Sequence, residues 1–513
     1  MCGEADAMTE NLLEMKEITK RFPGVTANDG VSFDLRAGEI HALVGENGAG
    51  KTTLMKILYG LHRPDSGTIL VRGAPVSIRG PREAIRLGIG MVHQHFMLFS
   101  PFSVLENVTL GEETHTAGVL RNAGPRQKIA SLVAENRLAV DPDARVEDLS
   151  VGIQQRVEIL KILYRGAVIL VFDEPTAVLT PQESSELFKT FREMKRQGKG
   201  VIFISHKLDE VLEVADRVTV IRQGRVVRTM ARADATKQKI AELMVGKPVL
   251  LEVDRVARDP GQVVLEVRDL HIRSPRGYEV VDGLSLNVHA GEIYGVAGVE
   301  GNGQTELVKT IAEGAEAESG GIFLSGKDVT HLGVRERRAR GIAHIPEDRQ
   351  KEGLLMPFSV AWNIALGRHH LQPYASRFQL INQKAIREHA RQVIAEYDIR
   401  TPSEETPANA LSGGNQQKAV VAREIGTGAI LLVASQPTRG VDIGATEFIH
   451  KQLLAARAAG RAVLLVSADL DELLSLSDRI GVIFKGKIIK EFTHDLAARE
   501  EVGLYMTGEK SNA

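Results

Sequence analysis

Cysteine is almost absent. The 513 residues hold one, Cys2, which excludes an internal disulfide framework and any cysteine-built zinc site, and fits a reducing compartment. An excess of charge of one sign is also missing: 64 Lys and Arg stand against 66 Asp and Glu, a formal net charge of -2. So balanced a chain carries no electrostatic footprint for nucleic acid, and a polyanion partner is not expected. Long apolar runs are lacking too. Stretches such as Ala167 to Phe172 and Ala429 to Ala434 fall far short of the roughly 18 residues needed to span a bilayer, so any membrane role requires a partner. The opening MCGEADAMTE lacks the basic and apolar regions of a signal peptide, which sets the expectation of a cytoplasmic chain. With 43% hydrophobic and 25% charged residues the composition is that of ordinary folded domains. At roughly 100 to 200 residues per domain, the length predicts two to four.

What the sequence does contain is a copy of itself. GEIHALVGENGAGKTTL at 38–54 returns as GEIYGVAGVEGNGQTEL at 291–307, an offset of 291 − 38 = 253, and GIGMVHQ at 88–94 returns as GIAHIPE at 341–347. Further on, LSVGIQQRVEILK at 149–161 matches LSGGNQQKAVVAR at 411–423, an offset of 411 − 149 = 262. The second copy therefore carries about nine extra residues in between. The later register then holds for VFDEPTAVLT (171–180) with VASQPTRGVD (433–442), and for FISHKLDEV (203–211) with LVSADLDEL (465–473). The expected organisation is one domain over 11–248, a linker over 249–262 marked by Pro260-Gly261, and a second domain over 263–508. Within each copy, short β-branched runs end in Gly-rich or acidic turns and lead into helical patterns, which predicts α/β layers. Between His95 and Arg165, and again over 358–428, the pattern turns mostly helical and predicts a helical subdomain.

In the first copy, Gly45-Glu-Asn-Gly-Ala-Gly50-Lys51-Thr52 fits GxxxxGK[ST] directly after an apolar strand and at the start of a helix. That context makes a phosphate loop. Its glycines let backbone NH groups wrap phosphate oxygens, the helix N-terminus adds partial positive charge, Lys51 reaches the β- and γ-phosphates, and the Thr52 hydroxyl can ligate Mg2+. The strand AVILVF ends in Asp173-Glu174, where Asp173 can hold the metal and Glu174 can orient and deprotonate the attacking water. His206, closing VIFIS, is read either as a γ-phosphate contact or as a structural strand-end histidine. Gln94, after GMV, is weak alone and gains meaning from the order and spacing of the set.

These motifs resemble those of the ATP-binding subunits of ABC transporters, and over essentially the whole length the chain resembles the tandem type that energises bacterial uptake of ribose, galactosides and nucleosides. The resemblance implies two tandem P-loop nucleotide-binding domains, each with a RecA-like α/β core and a helical subdomain, with ATP and Mg2+ as ligands. It implies GENGAGKT as Walker A, with Gly45, Asn47, Gly48, Gly50, Lys51, Thr52 and Thr53 on the nucleotide, Gln94 as a Q-loop residue that also faces the metal, Asp173 and Glu174 as Walker B and base, and His206 as switch histidine. LSVGIQQ reads as a signature variant. Phe22 sits where the family stacks a ring on adenine, with a core phenylalanine as the alternative.

The second copy departs from the family pattern at the chemistry: Lys51 becomes Gln304, Asp173 becomes Ser435, Glu174 becomes Gln436, Gln94 becomes Glu347 and His206 becomes Ala468, while Thr305 keeps its hydroxyl. Loss of a base typically costs 10² to 10⁴-fold in rate. The signature runs the other way. Copy two has Ser412-Gly413-Gly414-Asn415 and Asp442, whereas copy one has Ser150-Val151-Gly152-Ile153 and Thr180. In the family, nucleotide lies between Walker A of one copy and the signature of the other. Sorted that way, one site is complete (45–53, Gln94, Asp173, Glu174 and His206 with Ser412, Gly414, Asn415 and Asp442) and the other doubly damaged.

By resemblance the partners are two membrane permeases and an extracytoplasmic solute-binding protein, met at the cytoplasmic face of the inner membrane. Phe96, Leu98 and Phe102 are read as docking contacts or as ordinary core. The two domains are expected to pair within one chain. LSVGIQQRVEILKILYRGA, DEPTAVLTPQE and ASQPTRGVD look most like the nucleoside branch, with a ribose- or galactose-type importer as the alternative. A soluble ATPase acting on ribosomes is the remote alternative, disfavoured by the short linker and the degraded site.

Overall fold

The computed structural model describes residues 11–93, 96–113, 115–116, 119–176, 179, 181–205, 207–246, 248, 260–274, 277–299, 301–508 and 510. Cys2, Gln94, Thr180, His206 and most of the linker stretch, 249–259, lie outside them. The chain forms two compact units, Met1–Val249 and Leu250–Ala513.

In the N-terminal unit, a six-stranded sheet runs in the order Arg225–Ala231, Arg217–Arg222, Ile40–Val44, Gly200–Ile204, Ile169–Asp173, Ile89–Val92. Ile40–Val44, Ile169–Asp173 and Gly200–Ile204 are buried at every position. The physical reason is that parallel strands are covered by helices on both faces, so their sequences read as unbroken apolar runs rather than alternating ones. Register is parallel, with Val201 beside Ile40 and Leu170. Each fully buried Val, Leu or Ile contributes roughly 1.5–3 kcal/mol. A second, antiparallel sheet orders Val25–Arg36, Asn11–Phe22, Ser66–Val71 and Ala74–Val76. Its strand Asn11–Phe22 has one dry face, through Leu13, Met15 and Ile18, which join Leu54, Met55 and Leu58 of the helix Lys51–Leu58 in one core.

The C-terminal unit repeats this plan. Its six-stranded sheet orders Ile342–Ile345, Leu431–Ser435, Ala462–Ser467, Ile293–Ala297, Arg479–Phe484, Lys487–Thr493, and its antiparallel sheet Glu279–His289, Val263–Arg273, Ser319–Leu324, Lys327–Asp328. The helical subdomains are Val104–Thr109, Ala123–Asn136 and Val151–Tyr164 in one unit and Val360–Ala365, Gln383–Glu396 and Gly413–Ile425 in the other. The second has a core of its own around Ile364, Ile386, Ala390 and Val393. The extra residues of copy two fall here. The first helices of the pair stand 360 − 104 = 256 apart, the second 383 − 123 = 260, and the third 413 − 151 = 262. The first part of the surplus therefore lies just after the strand Ile342–Ile345, where Arg349–Gly353 winds as a π-turn capped by the Asp348 carboxylate.

Candidate functional site

In the N-terminal unit, the loop after Ile40–Val44 enters its helix through Gly50, whose φ of 103 lies in the left-handed region. A Cβ there would collide with the Ala27 carbonyl, so only glycine fits. The carbonyl of Gly50 is held by the buried Asn28 amide at 3.1 Å. Asn47 and Gly48 are exposed, Thr52 and Thr53 half-buried, and Gly45 buried. Lys51 is buried, and its ammonium donates to the carbonyls of Gly45 (2.7 Å) and Glu46 (2.9 Å). The Thr52 hydroxyl donates to Asp173 at 3.4 Å. Burial, and then the neighbouring Glu174, push the Asp173 carboxyl above the usual carboxylate range, with Thr52 and Lys51 opposing. A hydroxyl beside a desolvated carboxylate is a hard-oxygen donor pair that suits a small divalent cation. Glu174 sits at φ 50 just past its strand, its NH held by the Ile204 carbonyl at 3.0 Å. A non-glycine residue in that region is strained, and such strain clusters at functional sites. Phe22 is exposed, edge-on to His62 at 5.4 Å with Lys20 5.5 Å from its ring; it is not a core side chain.

The C-terminal unit keeps the scaffold and replaces the chemistry. Gly303 has the same φ of 103 and the same close carbonyl, from Val280. Gln304 turns its amide back on the loop, donating to the Val299 carbonyl (2.9 Å) and accepting from the Asn302 NH (3.1 Å). One backbone NH that a phosphate could use is thereby taken. Ser435 is buried and Thr305 exposed, so no carboxylate faces that hydroxyl from the strand end. Gln436 keeps the strained turn at φ 46 and accepts from the Ala468 NH at 3.2 Å. Glu347 is ion-paired to Arg439. A cavity of about 530 Å³ includes Thr305, His344, Glu347, Arg349, Ser435 and Arg439 in its wall.

The signature segments differ as well. Ser412 caps the helix Gly413–Ile425 with its hydroxyl free of the helix backbone, and that hydroxyl accepts from the Asn415 amide at 2.9 Å. Gly414 lies beside the Asp442 carboxylate, which caps the next helix by accepting from the Ala445 NH at 2.8 Å. In the N-terminal unit, Ser150 and Val151 are exposed and Gly152 is covered by the Glu183 carboxylate, so that a Cβ on Gly152 would overlap it. A carboxylate thus lies at the N-terminus of both signature helices, Glu183 against Gly152 and Asp442 against Gly414, and the units differ in that Val151 stands where the other has Gly413. Motif reading passed over Glu183, as it did Gln155 and Gln417, which pin the signature helices to the carbonyls of Pro175 and Pro437, each at 2.8 Å. All three act on residues distant in sequence, so no spacing rule finds them, although the Gln155/Gln417 pair is visible as QQ in both copies. Of the expected docking contacts, Phe102 is exposed, whereas Phe96 and Leu98 are half-buried; Met97 and Phe99 between them are the exposed ones.

Two α/β units that each carry a glycine loop opening onto a helix, beside a strand-end Walker B position, define a P-loop nucleotide-binding protein. The ABC transporter family model matches residues 28–177 and 281–439. The chain is 49% identical to the nucleoside import ATP-binding protein NupA of Lactococcus lactis subsp. cremoris, over 98% of this chain and 99% of that one. It is 43% identical to the ribose import ATP-binding protein RbsA 1 of Rubrobacter xylanophilus, over 98% and 99%. A solved archaeal ribosome recycling factor, aABCE1, in complex with the ribosomal stalk protein aP1, is similar in fold alone, at TM-score 0.60 and 18% identity over 91% of this chain and 87% of that one. The chain belongs to the ABC transporter family and is one of its ATPases. Among the described residues no helix is long and apolar enough to cross a membrane.

Proposed function

We propose that this chain is the ATP-hydrolysing subunit of a nucleoside importer, with nucleotide-binding domains over 11–248 and 263–508 joined by 249–262, and with one hydrolytic site assembled from both. The observation that supports this reading is the segregation of the damage. The N-terminal unit has Lys51, Asp173 and Glu174 in place but Val151 and Ile153 in its signature, and the C-terminal unit has Gly413 and Asn415 there but Gln304, Ser435 and Gln436. Random decay of one copy would not sort by site.

At the complete site, ATP phosphates replace the loop carbonyls as partners of Lys51, with each charge-assisted bond contributing about 1.5–3 kcal/mol. Thr52 and Asp173, with Gln94, would hold Mg2+, which would offset charge on the transferring phosphoryl group. Glu174 orients the attacking water and takes its proton, and His206 faces the γ-phosphate. Ser412, Gly413, Gly414 and Asn415 grip that phosphate from a helix N-terminus, with Asp442 beside them. Phe22, exposed at its strand end, stacks on adenine. The second site, with Ser150, Gly152, Gln304, Thr305, Glu347, Ser435, Gln436 and Ala468, does not fit the metal and does not hydrolyse. ATP thus clamps the two domains and hydrolysis releases them, a two-state motion that drives two permease subunits at the cytoplasmic face of the inner membrane. Met97, Phe99 and Phe102 offer the apolar docking contact, and a solute-binding protein delivers the nucleoside from outside.

Greater identity to the nucleoside relative than to the ribose one favours nucleosides; a simple-sugar importer is the second reading, supported by the 43% match. The experiment is reconstitution of the chain with its permeases and solute-binding protein, followed by ATPase measurement. Stimulation by a nucleoside and not by a pentose or hexose is expected. Stimulation by the sugar alone, or copurification with ribosomes in place of membrane subunits, overturns the assignment.

A further inference from the structure

Among the described residues a π-turn occurs in the C-terminal unit alone, and it points a cation at that unit's signature. Arg349 donates to the carbonyl of Arg439 at 2.8 Å and to that of Gly440 at 3.2 Å. These two residues lead into Asp442. On its other side the guanidinium lies against Gly413, where a Cβ would stand 2.7 Å from its terminal nitrogen. One side chain thus touches both loops that supply the proposed trans half of the hydrolytic site, namely 412–415 and 439–442. Burial holds the guanidinium below its usual basicity, with Asp348 opposing, and arginine stays charged regardless. Its Nε is buried without a hydrogen-bond partner.

The N-terminal unit supplies the comparison. The turn falls where the C-terminal unit is longer, so Arg349 has no aligned counterpart in the N-terminal unit, and at the place of Gly413 that unit has Val151. It also has Thr180 where Asp442 stands. Arginine, glycine and aspartate occur together in one unit, and the other lacks the inserted turn and has valine and threonine at the other two places. A β-branched residue at 413 would meet the guanidinium. Gln350, next in the turn, adds a bond from its amide to Gln416 of the signature helix at 3.1 Å. The turn is therefore fastened both to that helix and to the Asp442 loop.

We propose that Arg349 is a positioning residue for ATP hydrolysis, locking the Gly413 signature loop and the Asp442 loop in the mutual geometry that the γ-phosphate requires. Arg349 itself contacts no substrate. This inference rests on the assignment of those loops to the complete site. Misplacement of a catalytic group by about 1 Å can cost on the order of 10²-fold, so the effect belongs in kcat. ATP affinity, set mainly by the phosphate loop of the other unit, is retained.

The test uses the full-length chain, with kcat, KM and thermal unfolding measured for Arg349→Ala, Arg349→Lys, Lys351→Ala and Ser412→Ala. Arg349→Ala is expected to lower kcat by roughly 10- to 100-fold with KM within about twofold and an unchanged unfolding temperature. Arg349→Lys regains part of the rate, and Lys351→Ala matches wild type. Hydrogen exchange of peptides covering 412–416 and 439–445 should rise in Arg349→Ala, while those covering 45–54 stay unchanged. A kcat for Arg349→Ala near wild type while Ser412→Ala is inactive refutes the role of Arg349 and leaves the composite site standing. Wild-type activity in both variants defeats the composite site itself. Equal loss of ATP binding, kcat and unfolding temperature marks Arg349 as a purely structural staple and also refutes the proposal.

Discussion

The two phosphate loops share a backbone and differ in what their side chains do with it. Gly50 and Gly303 have the same left-handed φ under the same kind of carbonyl overhang, and Glu174 and Gln436 occupy the same strained turn. Yet the cation of one loop, Lys51, rests on carbonyls that a phosphate can displace, whereas Gln304 has closed its loop with a donated and an accepted bond. The scaffold is maintained by packing, since a glycine pressed against a carbonyl tolerates no Cβ whatever the loop binds. The chemistry is maintained by charge, and charge has left one loop without disturbing the backbone. Fold and catalysis are thus separable at the level of single side chains.

The largest effect that can break this contrast is loss of hydrolysis. Glu174→Gln or Lys51→Ala should lower the steady-state rate by roughly 10² to 10⁴-fold, and Gln304→Ala should leave it near wild type. Comparable losses from both loops would mean that both hydrolyse. The next effect separates the signatures. Ser412→Ala removes the hydroxyl that accepts from Asn415 and should cost about 10- to 100-fold; Ser150→Ala, in the signature that carries Val151 and Ile153, should change the rate by less than about twofold. The reverse ranking would exchange the trans partners.

How much of this was legible beforehand depends on the span over which each interaction reaches. The duplication, the tandem α/β fold and the family were legible because the phosphate loop, the strand-end acidic pair and the signature are contiguous segments, each with its own local physics. The losses at Gln304, Ser435 and Gln436 were legible by aligning the copies. What the alignment did not show is how Gln304 is used, since a two-bond closure depends on where its amide points. Glu183 and Arg349 were invisible for a different reason. Glu183 covers a glycine in another helix, and Arg349 reaches carbonyls some ninety positions away, so neither contact has a sequence period. The apolar run around Phe102 was read correctly as a surface only in part: the chain turns so that Met97 and Phe99 face outward while Phe96 and Leu98 lie partly covered.

The smallest expected effect concerns acid stability, where the units again differ in the residue responsible. His344 follows Ala343 in the edge strand Ile342–Ile345, where the N-terminal unit has Met91. Burial pushes its imidazole down to about 4, reinforced by Arg338 and Arg423 and opposed by Glu424 and Glu352; Glu313 lies 3.6 Å from Nδ1, and Nε2 is buried without a partner. Between pH 4 and the ordinary value of about 6.5, the unfolded chain binds a proton at this residue that the folded chain refuses. The stabilisation from keeping His344 neutral is therefore complete above about pH 6.5 and is lost as pH falls toward 4, by about 2 kcal/mol at pH 5. The N-terminal unit faces the same window through a different residue, His41, held down to about 4 chiefly by burial and then by Arg217, while bonded to the Asp34 carbonyl and Thr219. His344→Met, which installs the residue of the other unit, should flatten the acid limb of the C-terminal unit and leave that of the N-terminal unit in place. Hydrogen exchange of the full chain at pH 7 and pH 5 reads the two units separately. Unchanged acid sensitivity of the C-terminal peptides in that variant would assign the effect to the surrounding carboxylates instead.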